Sequence, residues 1–100
     1  MNCLDDCHNY GLDSFMGGPS TLLSFYRMAS DGTKTDGVTN EEVLRVLIHR
    51  LQFLNEKWME GKFRCRENSV AITKLEEALM WLNKRTEDRK ARKVEATHQP

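Results

Sequence analysis

The chain has 100 residues, 30% of them charged, 39% hydrophobic and 8% aromatic, with fifteen Lys/Arg against fifteen Asp/Glu. That length corresponds to one domain with a radius of gyration of about 13 Å, too small for a multidomain enzyme, and no apolar run approaches the ~20 residues of a membrane span. Zero net charge argues against the long-range field on which general DNA and RNA binders draw, although Lys84 to Lys93 gathers six basic residues against two acidic ones, a cluster suited to a small anionic ligand.

Residues 1–19 end in Gly17-Gly18-Pro19 and show neither a helical nor a strand period, so an irregular arm with possible short strands is expected. Its start, Met1-Asn2-Cys3-Leu4-Asp5-Asp6, lacks the basic residues and apolar run of a signal peptide, and the expected setting is cytosolic. Three cysteines in such a setting imply no disulfide framework. Cys3-x3-Cys7-His8 offers sulfur and imidazole donors, but the spacing is poor for zinc. Cys65, His49 and His98 are scattered singles, so no metal site is expected.

Strands are expected over about residues 21–38. Thr21 to Met28 is rich in apolar and aromatic residues, Ser30-Asp31-Gly32 reads as a turn, and Thr33 to Val38 returns with Asp36-Gly37 as another turn. A two-stranded ribbon is marginal alone and must lean on helices or another subunit. Thr39-Asn40-Glu41-Glu42 is a capping box opening a helix over about 40–60. Its stripe is Val43, Leu47, Leu51, Leu54 and Trp58, widened by Leu44, Ile48 and Phe53, with Gly61 as the stop. After the link Lys62-Phe63-Arg64-Cys65, a second helix is expected over about 67–92. Its stripe, Ile72, Leu75, Leu79 and Leu82, continues into Thr86 (or Arg85) and Arg89, turning from apolar to cationic. The fold class is therefore α+β: short N-terminal antiparallel strands followed by an antiparallel two-helix hairpin.

Arg85 and Arg89 are one helical turn apart, so their guanidiniums can converge on one phosphate and grip it bidentately. The same two residues can equally serve the negative end of the helix. Asn68, at the start of the second helix beside Arg66, stands where free N–H groups make a site for an anion or polar ligand; Asn is also an ordinary capping residue there. Phe63, in the link, is free to stack on a base, whereas Phe53 and Trp58 read as packing residues. There is no glycine-rich phosphate loop and no nucleophile motif. Glu76 and Glu77 are adjacent and diverge on a helix, and Cys65, between Arg64 and Arg66, has no evident base. An enzyme is not expected.

The run from Cys65 to Leu82, followed by Arg85-Thr86-Glu87-Asp88-Arg89, resembles the helical hairpin of phage Thoeris anti-defence sponges, a domain shared with sponges that block cyclic-oligonucleotide (CBASS) signalling. Gly37-Val38-Thr39-Asn40-Glu41-Glu42, leading into Val46 to Leu51, is similar to that family's passage from strand to first helix. The resemblance covers about residues 20–98 and implies one sponge-like domain there, with residues 1–19 as an uncovered arm. It implies a binder without catalytic activity or cofactor that holds an immune cyclic nucleotide intact in the cytoplasm of the infected bacterium. The ligand that the resemblance implies is a cyclic ADP-ribose isomer, with cyclic di- or trinucleotides taken by some members. It further implies a homodimer, assembled into hexamers in several cases, with pockets between subunits and neither nucleic acid nor membrane as partner. Residue by residue, the ligand-contacting asparagine falls on Asn68 and the two arginines on Arg85 and Arg89; Arg66 and Phe63 complete the candidate ligand-binding set. Lys93 and Ala96 replace two glycines frequent in the family, which alters that part of any pocket. The competing reading is a small helical-hairpin scaffold that binds a protein and no nucleotide.

Overall fold

The computed structural model describes residues 1–98, with side-chain surroundings described as far as residue 92. The chain divides into two compact units, Met1–Asn40 and Glu41–Pro100.

In the first unit, β1 (Asn2–Cys3), β2 (Asn9–Leu12) and β3 (Thr21–Ser24) form an antiparallel sheet with β2 at its centre. Cys3 lies opposite Tyr10, and Tyr10 in turn lies opposite Leu23. The arm expected to be irregular with possible short strands thus supplies two of the three strands. The period is hard to see because β1 has two residues, too few to alternate, and β2 has four, the shortest run in which alternation is read. β4 (Arg27–Met28) pairs with β5 (Lys34–Thr35) across the expected turn. In that turn Gly32 adopts φ +88°, a conformation glycine reaches without a steric penalty. The Asp31 carboxylate accepts the Thr33 N–H at 2.9 Å, and this bond holds the carboxyl below its ordinary pKa.

Between the two sheets, Phe25 forms a parallel bridge with Val38. The Tyr26 N–H donates to the Val38 carbonyl at 2.9 Å, and the Val38 N–H to the Ser24 carbonyl at 3.0 Å. The Phe25 ring meets Tyr10 edge-on, with centroids 5.8 Å apart, the geometry aromatic quadrupoles favour.

The second unit is the helical hairpin: α1 (Asn40–Glu56), a 3-10 turn (Trp58–Gly61) and α2 (Arg66–His98). α1 starts directly after Thr39, as the capping box requires, but ends earlier than the apolar spacing predicts. Its last i-to-i−4 bond runs from Lys57 N–H to the Phe53 carbonyl at 2.9 Å. Met59, Glu60 and Gly61 then all take left-handed backbone, with φ of +47°, +58° and +80°, which ends the hydrogen-bond ladder. Trp58, expected on the helical stripe, lies in the turn, yet its ring still reaches Phe53 with centroids 5.9 Å apart.

The stripes face inward only partly. Val43, Leu44, Ile48, Leu51 and Leu54 on α1, and Ile72, Leu75, Leu79 and Leu82 on α2, are half-buried. Leu47 and Phe53 are exposed, as are Met80 and Trp81. Among the described residues no hydrophobic side chain of the chain is fully buried. No described helix is both long and apolar enough to cross a membrane.

Candidate functional site

The joined ends of the helices form the most tightly tied part of the hairpin, and Asn55 is at the centre of it. Only 8% exposed, it accepts the Cys65 N–H on Oδ1 at 3.0 Å and donates from Nδ2 to Ser69 Oγ at 3.2 Å. Its own carbonyl accepts Arg64 Nε at 3.1 Å. One amide therefore satisfies a free backbone donor at the start of α2 and fixes the approach of both helices. Sequence reading missed this residue. The available signal is an Asn one position beyond Leu54, on the edge of the apolar stripe where a leucine would be unremarkable. Asn55→Ala leaves the Cys65 N–H and Ser69 hydroxyl without this partner, and is expected to lower unfolding stability by about 1–3 kcal/mol, measured by urea denaturation.

Asn68 lies one turn into α2, half-buried, and its Nδ2 donates to the Phe63 carbonyl at 3.1 Å. This bond ties the link back onto the helix and holds the Asn68 side chain at the positive end of α2, where the first N–H groups are unpaired by the helix itself. The Phe63 ring, 50% exposed, stands beside it in sequence space, with Arg66 exposed on the first turn. Phe63, Arg66 and Asn68 therefore belong to one end of the hairpin.

Arg85 and Arg89 belong to another place. Both are exposed, one turn apart on the same helix, and among the described residues neither forms an ion pair. Their neighbour Lys84 is engaged by Asp88 at 3.1 Å, so that carboxylate is already taken. α2 is continuous, and seventeen residues at the helical rise put Asn68 and Arg85 about 26 Å apart along its axis. Within one copy the five candidate residues form two groups, set apart along α2.

Between α1 and α2 lies an open groove of about 600 Å³. Ile48, Leu79 and Met80 give it an apolar floor, with His49, Gln52 and Asn83 supplying polar groups. None of the five candidate residues lines it.

The sequence profile described as the Acb2/Tad1 hairpin domain matches residues 25–87. Over 64 residues the chain is 55% identical to Thoeris anti-defense 1 of Bacillus phage SBSphiJ7. That alignment takes in 64% of this chain and 42% of the phage protein, so the chain spans less than half the relative's length. The profile match takes in Phe63, Arg66, Asn68 and Arg85 and stops two residues before Arg89. With a match running from the end of β3 through most of α2, the chain belongs to the Acb2/Tad1 hairpin family.

Proposed function

We propose that the chain is an anti-defence sponge: it binds a bacterial immune cyclic nucleotide and holds it chemically unchanged, in the cytoplasm of the infected cell. The observation that carries this reading is the match over residues 25–87, joined by identity to a phage protein whose name declares Thoeris anti-defence. The ligand class is a cyclic ADP-ribose isomer, with cyclic di- and trinucleotides as further candidates. Action is stoichiometric, because capture lowers free signal below the level that its effector needs.

The arrangement of residues supports a pocket shared between copies. Asn68, Arg66 and Phe63 stand at one end of α2 and the arginine pair far along it, so two copies with antiparallel α2 helices bring one group of each onto a single ligand. Arg85 and Arg89 would grip the pyrophosphate, Asn68 would hydrogen-bond the polar groups, and Phe63 would cover the base. The half-exposed apolar stripes support the same conclusion, since a contiguous apolar face on a soluble protein calls for cover. A homodimer supplies it, and a hexamer built from three such dimers is the proposed full assembly.

Calorimetric titration with a panel of cyclic nucleotides tests the reading. A cyclic ADP-ribose isomer is expected to bind and to raise the melting temperature in proportion to the logarithm of its excess over Kd. Chromatography of the ligand after protein denaturation is expected to return it unaltered. Hydrolysed ligand would make the protein an enzyme, and no binding to any member of the panel would favour the protein-scaffold reading.

A further inference from the structure

We propose that Cys3 and Cys7 form a thiol-modification site, a dithiol that closes to an intrachain disulfide by exchange with a small disulfide of the glutathione class. Their sulfurs stand 3.3 Å apart, against about 2.05 Å in a disulfide, so the closing movement is of side-chain-torsion size. Both thiols are free and exposed, and an oxidant reaches them without the sheet opening.

The approach is set by groups other than the sulfurs. Asp5 organises the loop between β1 and β2: its carboxylate accepts the His8 and Asn9 N–H groups at 3.0 Å each and Asn9 Nδ2 at 2.7 Å. Those bonds, the side-chain one foremost, hold the Asp5 carboxyl below its ordinary pKa. The Cys7 N–H turns back onto the Asp5 carbonyl at 2.7 Å, and Leu4 N–H bonds to the Asn9 carbonyl at 2.9 Å. Cys7 consequently holds left-handed backbone, φ +65°, which a β-carbon resists; here it returns the Cys7 side chain toward β1. On the other side Cys3 is pinned in register opposite Tyr10, and its Sγ also donates to the Asp5 carbonyl at 2.8 Å. The Cys7 side chain beside the Tyr10 hydroxyl, foremost, raises its phenol above the ordinary value.

A metal centre fits these residues poorly. No cluster of three or more His, Cys, Asp or Glu forms among the described residues, so two sulfurs lack the further ligands of a zinc site. His8, although next in sequence to Cys7, does not join them. The dithiol also lies well before residue 25, outside the matched hairpin domain, and is independent of the nucleotide reading.

The exchange balances without another reactant. One cysteine thiolate attacks a sulfur of oxidised glutathione, forming a mixed disulfide and releasing one glutathione thiolate. The second cysteine thiolate attacks the protein sulfur of that mixed disulfide and displaces the other glutathione. The two thiol protons end on the two glutathiones, and the protein loses the two electrons that the small disulfide gains.

The test uses the whole chain carrying Cys65→Ser, reduced, freed of reductant and equilibrated in glutathione buffers of stepped redox ratio. After acid quenching and thiol blocking, mass spectrometry is expected to find a chain lighter by two hydrogens, with a peptide linking Cys3 to Cys7. The midpoint, expressed as the square of the reduced glutathione concentration over that of oxidised glutathione, should favour the disulfide about tenfold or more in the folded chain relative to the same chain in urea. Asp5→Ala should erase much of that difference. Persistent glutathione adducts, disulfide-linked dimers, or equal midpoints in folded and unfolded chains would overturn the proposal.

Discussion

Arg89→Ala is expected to weaken cyclic-nucleotide binding about 30-fold or more while leaving the size of the assembly unchanged. The magnitude follows from truncating one partner of an enclosed, charge-assisted pair, which costs roughly 2–5 kcal/mol because the phosphate is left without its counter-charge. Lys84→Ala is the control: its ammonium is engaged by Asp88 on an exposed face, and the expected change is under about threefold. The distance between the two candidate groups makes a sharper version possible. If Asn68 of one copy and Arg89 of another meet on one ligand, chains carrying Asn68→Ala and chains carrying Arg89→Ala complement each other when unfolded, mixed and refolded. Each mixed dimer then holds one pocket with both residues and one with neither. Random pairing makes about half of the dimers mixed, so about a quarter of wild-type sites should return by calorimetry. If each copy binds through its own residues, mixing restores nothing. If nucleotide binding ignores both substitutions, the arginines only solubilise the helix.

Local features of the hairpin were legible because they depend on neighbours in sequence. The start of α1 directly after Thr39 and the onset of α2 near Arg66 each express backbone chemistry confined to one turn, whereas Gly61 does not stop α1, which ends at Glu56, but closes the 3-10 turn beyond it with φ +80°. The inward stripe on α2 was legible for the same reason, since half-burial at Ile72, Leu75, Leu79 and Leu82 follows the helical period. What escaped depends on residues distant in sequence. Asn55 acts on Cys65 and Ser69, ten and fourteen positions on, and no period marks such a pairing. The left-handed pair Met59 and Glu60 has no signature either, as neither residue type favours that conformation. Cys3 and Cys7, four positions apart, meet across a loop that Asp5 ties with its own hydrogen bonds. For the candidate site, spacing showed that Arg85 and Arg89 share a face. Helical continuity shows in addition that Asn68 lies about 26 Å from Arg85 along the same rod.

Gly37→Ala is expected to destabilise the strand unit by about 3 kcal/mol, the upper part of the range for forced overpacking. Asp36-Gly37 reads as a turn in the sequence, but the structure gives this glycine a different necessity. A β-carbon at position 37 would stand 2.5 Å from the Phe25 carbonyl carbon, 2.7 Å from its oxygen and 2.7 Å from Tyr26 N. All three are backbone atoms, so no rotamer change relieves the clash, and Phe25 must draw away from the segment that carries Val38. That movement pulls directly on the bonds between Tyr26 N–H and the Val38 carbonyl and between Val38 N–H and the Ser24 carbonyl. Hydrogen exchange is the discriminating measurement: the Tyr26 and Val38 amides should lose protection together, as members of one cooperatively opening unit. Gly18→Ala provides the comparison, because an added β-carbon there would meet only the Ser14 side chain at an ordinary 3.8 Å. That variant should leave both amides as protected as in the parent chain. Unchanged Val38 protection in Gly37→Ala would mean that the bridge to Phe25 accommodates a methyl group, and that the passage from strand to α1 is held by something other than this close backbone approach.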